Sequence, residues 1–170
     1  MAVTQNIGIW RIYQEAQAEE RQVVNMLIEN KVQIKAIKTG KYVAGKINGT
    51  VMFTEGHFIV YIEEKDCLID ISKIKEFPKD KMEKYSADKI EKLLKPVKLT
   101  DEALILTGKT ARLFENKETG DKIWLNNKYV KMFGGCKCHS AEIEDGIKDV
   151  VFTRYGKVVG LVLPLKPPWD

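Results

Sequence analysis

The sequence predicts an α+β fold built from antiparallel β-meanders, two longer helices and one short helix. In two long segments apolar residues recur at intervals of three and four, which is typical of amphipathic helices. Elsewhere short β-rich runs end at glycine, asparagine or proline, which is typical of hairpins. With 170 residues, of which 44% are hydrophobic, we expect a single domain over residues 1–170. Its two candidate halves, 1–77 and 97–170, would be joined by a lysine-rich helix over 79–95.

The first half begins with the longer of the two helices. Apolar residues at helical spacing within residues 13–30 predict a helix of about 17 to 20 residues with an acidic polar face. Residues 31–40 alternate apolar side chains with lysine and glutamine, which predicts a strand. Short β-rich runs follow over 41–74, with a hairpin turn at Asn48-Gly49.

In the second half, a second helix is predicted between Pro78 and Pro96, because both prolines interrupt the regular pattern around it. The remainder reads as strands, including a hairpin turn within "LTGKT", residues 106–110. A short helix over 127–133 begins at an asparagine cap and ends at a pair of glycines. The last two strands are joined by a turn at Gly156.

The net charge of +4 is concentrated in one segment. Residues 73–98 hold nine lysines against five acids, so this segment accounts for the whole excess. Only four of the 28 basic residues are arginine, which disfavours a dedicated reader of base sequence. The longest nearly unbroken apolar run, Val158 to Leu165, is shorter than the roughly 20 residues of a membrane span. We therefore expect a cytoplasmic protein with free thiols and no membrane partner.

Two motifs resemble sites of known chemistry. Cys136, Cys138 and His139 in "CKCHS" are candidate zinc ligands, but C-x-C is tighter than the usual spacing, and a loop after the short helix is favoured. The segment "LTGKT" resembles the end of a phosphate-binding loop, but Ala103 stands where the pattern needs a glycine, which favours the hairpin. We predict no cofactor, no catalytic residue and no bound metal.

One stretch resembles a known family. In "WLNNKYVKMF … KDVVFTRYGKVVGLVLPL", residues 124–165, a strand leads into a short helix, and two strands end at Leu163, Pro164 and Leu165. This pattern is similar to the C-terminal half-domain of bacterial DNA sliding clamps, which implies a clamp-like fold. The closing pattern also resembles small uncharacterised proteins of phages and integrated elements in low-GC Gram-positive bacteria. Unlike a clamp subunit, this chain has room for only one such domain, and its first helix is acidic.

Three functions follow as hypotheses. The first is a non-enzymatic phage or mobile-element protein that binds a host protein of a nucleic-acid-handling or defence system, including as an inhibitor of the anti-CRISPR kind. The second is a clamp-like DNA-associated accessory module in replication or recombination. The third is a nucleotide-binding or metal-dependent enzyme. The candidate partner-binding residues are the exposed lysines and aromatics Lys84, Lys89, Lys92, Lys128, Tyr129, Lys131, Tyr155 and Trp169.

Overall fold

A computed structural model describes residue 14 and residues 29–166, and it shows two sheets with short helices packed against them. The α+β class predicted from the sequence is confirmed. The described strands are β1 (Val43–Ile47), β2 (Thr50–Thr54), β3 (Phe58–Glu63), β4 (Lys75–Glu76), β5 (Lys95–Pro96), β6 (Lys98–Leu106), β7 (Lys109–Glu115), β8 (Lys122–Asn126), β9 (Lys137–Glu144), β10 (Ile147–Arg154) and β11 (Lys157–Val162). The described helices are α1 (29–39), α2 (Lys79–Lys84), α3 (Ala87–Glu91) and α4 (Asn127–Val130).

The larger sheet has eight strands in the order β4-β1-β2-β3-β11-β10-β9-β5, and the smaller sheet has the order β6-β7-β8. Of the described strand pairs, only β1 and β4 run parallel. In the centre of the larger sheet β3 pairs with β11, where Ile59 lies opposite Leu161. Strands from both ends of the described chain therefore form one continuous sheet.

Three hairpin turns predicted from the sequence are confirmed. Each joins neighbouring antiparallel strands through two residues that both have positive φ, the conformation whose twist matches that of the flanking strands. Glycine at the second position of each turn tolerates this conformation, as does Asn48, whereas Thr107 and Tyr155 adopt it against their usual preference. The three turns are Asn48-Gly49, Thr107-Gly108 and Tyr155-Gly156.

The strand predicted over residues 31–40 is wrong, because this segment belongs to α1. Val32 and Ala36 are buried, and they lie on one face whether the segment is a strand or a helix. Ile34 separates the two possibilities: a strand would place it on the same buried face, but its exposed fraction is 51%. The helix predicted over 13–30 lies outside the described residues, except for residue 14 and its last two positions, all three of which are helical.

The segment after β3 was also predicted to be a strand, and it is irregular instead. Over residues 67–74 the chain forms only a single 3₁₀ turn, Ile71–Lys73. The buried Gln33 of α1 forms two hydrogen bonds to the backbone at the start of this segment. Its Nε2 donates to the Asp66 carbonyl at 3.4 Å, and its Oε1 accepts from the Leu68 N–H at 2.7 Å. A backbone that bonds to a side chain in this way is not available for a strand ladder.

Two short helices, α2 and α3, replace the single helix predicted over 79–95. The chain leaves the helical conformation at Tyr85, and Ser86 is extended, with φ −62° and ψ 141°. The Tyr85 carbonyl accepts a hydrogen bond from the Tyr61 hydroxyl of β3 at 2.7 Å. This bond to the sheet takes the place of a further helical hydrogen bond, so the break depends on a residue that lies far away in the sequence.

The larger sheet is the middle layer of the fold. One face, with Phe53 and Phe152, packs against α1, the smaller sheet and the segment that follows α4. The opposite face, with Met52, packs against Met82 of α2 and Ile90 of α3. None of the helices in the described part of the chain is long and apolar enough to cross a membrane.

The predicted asparagine cap of the short helix is confirmed at Asn126, whose Oδ1 accepts from the Lys128 N–H at 3.0 Å. We expect Asn126→Ala to lower the free energy of unfolding by about 1 kcal/mol, because a helix N–H loses its partner. The control is Asn127→Ala, which changes the next residue but leaves the cap intact. Urea denaturation of both variants checks this, and equal losses would contradict the capping role.

Candidate functional site

Strand β6 differs from the other long strands in its exposure. Seven of its nine residues are exposed and the other two are half-buried, whereas most residues of β3 and β10 are buried. Its exposed apolar side chains point to both faces, with exposed fractions of 36% for Leu104 and 79% for Ile105. An exposed apolar strand at the edge of a sheet is a template for pairing with another strand.

The backbone of β6 is paired on one side within the described part of the chain, where β7 is its only partner. Leu106 lies opposite Lys109 across the two-residue turn, so these two residues exchange hydrogen bonds. Because the bonding direction alternates along an antiparallel strand, Leu104 also bonds toward β7. The N–H and C=O groups of Ala103 and Ile105 therefore point away from β7. We call this side the outer edge of β6.

The two ends of this strand carry opposite charges. A bulge separates Leu99 from Ala103, and the exposed Asp101 and Glu102 lie within it. The backbone of the bulge is fixed, because Nη2 of Arg112 donates to the Thr100 carbonyl at 3.1 Å. At the other end, the exposed Lys109 follows the turn and lies on β7, opposite Leu106. The outer edge is thus an apolar segment of β6 with acids at one end and, at the other end, a lysine one strand away.

The remaining sheet edges in the described structure are short or covered. The larger sheet ends in β4 and β5, which have two residues each. On the smaller sheet, β8 lies at the side opposite β6, and there the Leu165 N–H donates to the Trp124 carbonyl at 2.7 Å. Short edges and covered edges are poor templates for pairing with another strand. Parts of β1 and β9 lack a strand partner beyond the residues that pair with β4 and β5, but among the described residues β6 is the long edge strand whose side chains are exposed on both faces.

The lysines predicted to bind a partner do not form one surface. Lys84, Lys89 and Lys92 belong to α2, α3 and the residue after α3, which pack on one face of the larger sheet. Lys128 and Lys131 belong to α4 and the turn after it, which pack on the opposite face. A single nucleic acid backbone cannot follow both groups without crossing the sheet.

Some of these predicted residues already have partners within the chain. Nζ of Lys84 lies 2.9 Å from a carboxylate oxygen of Glu144. Nζ of Lys128 lies 5.6 Å from the centre of the Tyr129 ring. The Tyr129 ring itself stacks on His57, with 5.7 Å between ring centres. Tyr129 therefore packs α4 against the larger sheet and offers only part of its ring to a partner.

The two other predicted aromatic contacts lie elsewhere. Tyr155 is in the turn between β10 and β11 and is 74% exposed, so its side chain is open to solvent. It lies far along the chain from β6, on the hairpin that continues the larger sheet. Trp169 lies outside the described residues.

The "CKCHS" segment is not the predicted loop, because Cys138 and His139 belong to β9. Successive strand residues point to opposite faces, and Nε2 of His139 lies 3.0 Å from Oγ1 of Thr153. Burial raises the pKa of the Cys138 thiol to about 11 and also raises the pKa of Cys136, so both thiols stay protonated near neutral pH. Among residues 29–166 no group of three or more His, Cys, Asp or Glu side chains is arranged to hold a metal ion.

One buried acid was not singled out from the sequence. Asp149 of β10 is fully buried beneath α2 and α3, and neither of its carboxylate oxygens has a hydrogen-bond partner in the described structure. Burial, and to a lesser extent the negative charge of Glu144, raises its pKa to about 7. This carboxyl has no route to solvent, so we interpret it as a determinant of stability and not as part of a binding site.

A cleft of about 950 Å³ lies at one end of the larger sheet, beside the turns at Asn48-Gly49 and Tyr155-Gly156. Some of its charged groups form ion pairs. Glu63 bonds to Lys65 at 3.0 Å and to Lys157 at 2.7 Å, and Arg154 lies 3.4 Å from Glu29. Asp66, Asp88 and Glu91 also line the cleft and form no ion pair among the described residues, so five acids face three basic residues and the lining is acidic.

Comparisons with protein-family models, with curated proteins and with solved structures find no match for this chain. The sequence signal for the outer edge of β6 was the run "EALIL", where apolar residues follow one another without the alternation of a half-buried strand. Such a run usually indicates a strand buried on both faces, and here the same pattern marks a strand exposed on both faces.

Proposed function

We propose that this chain is a non-enzymatic binding protein that adds a β-strand of its partner to the outer edge of β6. The observation that carries this proposal is the set of outward N–H and C=O groups at Ala103 and Ile105, in a strand whose side chains are exposed on both faces. Strand addition is a common mode of peptide recognition, in which main-chain hydrogen bonds provide affinity and alternate side chains provide specificity.

The side chains of this segment favour an apolar partner strand. Leu104 and Ile105 project to opposite faces of the smaller sheet, so an added strand would cover part of each. Removing apolar surface from water stabilises a complex by about 25 cal/mol for each Å² buried. The chemistry exposed here, backbone hydrogen bonds and apolar contact, supports binding and not the breaking of covalent bonds.

The class of partner is part of the same proposal. A host protein of a nucleic-acid-handling or defence system is the partner implied by the resemblance of the closing pattern to small proteins of phages and integrated elements. The alternative, a DNA-associated module that uses the predicted lysines, has less support, because those lysines lie on opposite faces of the larger sheet. We therefore place the binding function at the outer edge of β6 and not on the lysine-bearing helices.

The proposal is tested by selecting binders from a library of short synthetic peptides with the full chain as bait. We expect the selected peptides to be extended and apolar. Binding should weaken at least about tenfold in Ala103→Pro, which removes an outward N–H without touching the hydrogen bonds between β6 and β7. The matched control is Ala103→Ser, which keeps the N–H and should bind normally. A library that yields no binder, or equal binding by both variants, would contradict the proposal.

A further inference from the structure

The exposed segment of β6 is complementary to itself when two copies run antiparallel. Its centre, Ala103 to Leu106, is apolar and uncharged, and the charged residues lie beyond it on either side. A two-fold symmetric interface requires such self-complementarity, because the same surface faces itself across the axis. We propose that, when no host protein is bound, β6 accepts the β6 strand of a second copy of this chain. This inference rests on the proposed function, because the second copy and the host protein would occupy the same edge in turn.

The direction of the backbone groups determines the register of this dimer. Ala103 and Ile105 carry the outward hydrogen-bonding groups, so each must lie opposite an outward residue of the second copy. Pairing Ala103 with Ile105 of the second copy, and Ile105 with Ala103, satisfies this requirement twice. The two-fold axis then passes between the two copies of Leu104, which face each other as a pair without mutual hydrogen bonds.

The charges agree with this antiparallel register. Asp101 lies opposite Thr107 of the second copy. Lys109 of the second copy lies on β7 and pairs with Leu106, so it is two strands away from Glu102, at about 10 Å between backbones. Glu102 lies opposite the apolar Leu106, so no acid faces an acid. In a parallel pair, Asp101 and Glu102 would instead lie beside the same acids of the second copy, and like charges side by side are unfavourable. Charge complementarity therefore favours the antiparallel dimer, in which the smaller sheets of two copies form one continuous six-stranded sheet.

The oligomeric state is the first test, measured on the full chain by sedimentation equilibrium from micromolar to millimolar concentration. We expect a species of twice the 19.4 kDa chain mass. Ile105→Lys should remain monomeric, because it brings two buried lysines close together at the dimer centre. The matched control is Ile37→Lys, an equally drastic change at an exposed isoleucine of α1, which should still dimerise.

The register is tested by oxidative cross-linking with copper phenanthroline. Leu104→Cys should give a covalent dimer, because facing residues of a pair without mutual hydrogen bonds have Cβ atoms about 4.5 to 5.5 Å apart, near the range a disulfide spans. Ile105→Cys should not give a covalent dimer, because the two copies of residue 105 lie diagonally across the axis, about 7 Å apart. The wild-type chain controls for the three native cysteines.

The outcomes separate this inference from the function on which it rests. A wild-type chain that stays monomeric, or a dimer that Ile105→Lys leaves intact, overturns the homodimer. If the monomeric chain still binds library peptides, and Ala103→Pro abolishes that binding, the proposed strand addition is supported. Only the second copy as the partner is then wrong. If the monomeric chain also binds no peptide, both proposals fail. Urea denaturation of each variant shows that loss of association is not loss of folding.

Discussion

Replacing Asp149 with asparagine is expected to stabilise the protein by about 4 kcal/mol above neutral pH, since its pKa rises from 3.8 to about 7 on folding and each unit corresponds to about 1.36 kcal/mol. The cause is the burial of a carboxyl whose oxygens have no hydrogen-bond partner in the described structure, close to the negative Glu144. Asparagine has nearly the same shape and no charge, so it avoids the cost of ionising a buried group.

The sign of the pH dependence follows from the same shift. Between about pH 4 and pH 7 the unfolded chain has lost the Asp149 proton while the folded chain keeps it, so stability falls as the pH rises through this window. Above about pH 7 both states are ionised, and the full penalty remains. Below about pH 4 both states are protonated, and Asp149 contributes no difference.

Urea denaturation of the wild type and of Asp149→Asn, measured at intervals from about pH 4 to pH 8, tests this prediction. The two proteins should differ little at the acid end and most at the alkaline end. Asp101→Asn, at an exposed acid of β6, is the control and should follow the wild type. If Asp149→Asn kept the wild-type slope against pH, the carboxyl would have a partner or access to solvent.

Gly160→Ala is expected to destabilise the protein by about 3 kcal/mol, because it adds a methyl group to a core that has no space for it. A Cβ at Gly160 would overlap the ring of Phe133 and would lie 3.1 Å from the Ile59 carbonyl. The ring cannot move aside freely, because it is buried and stacks on Phe152 with 4.6 Å between ring centres. The glycine is required by this close approach and not by an unusual backbone angle.

A double-mutant cycle identifies the cause. Phe133→Ala alone should cost about 4 kcal/mol through the cavity it creates. Adding Gly160→Ala to that variant should then cost less than about 1 kcal/mol, because the ring that opposes it is gone. Gly45→Ala is a second control, since its Cβ would meet the flexible end of Met82. Full additivity of the two substitutions in urea denaturation would show that the ring is not the obstacle.

The parts of this fold that the sequence predicts are those that depend on neighbouring residues. The hairpin turns follow from the glycine at their second position, and the short helix follows from the cap at Asn126. Ser86 is a local candidate for a fresh cap within residues 79–95, but the hydrogen bond from Tyr61 in β3 to the Tyr85 carbonyl does not follow from neighbouring residues. The strand predicted over 31–40 failed because the two buried positions fit both periodicities.

The candidate site could be predicted only in part. An apolar strand before Thr107-Gly108 was expected from the sequence, but whether a strand lies at the centre or the edge of a sheet depends on the order of strands. The sequence shows the charge of the predicted lysines but not their positions in the fold. The larger sheet separates the lysines of α2 and α3 from those of α4. Burial of Asp149 likewise follows from the packing of helices against β10, which no local pattern reveals.

The central claim is that the outer edge of β6 accepts a strand, and amide hydrogen exchange at Ile105 tests it most directly. The N–H of Ile105 points away from β7, whereas the N–H of the neighbouring Leu104 bonds to β7 and serves as an internal reference. We predict that exchange at Ile105 slows at least about tenfold, between dilute and concentrated protein or on addition of a selected peptide, while Leu104 stays protected throughout. Rapid exchange at Ile105 under every condition, with Leu104 protected, would contradict the claim.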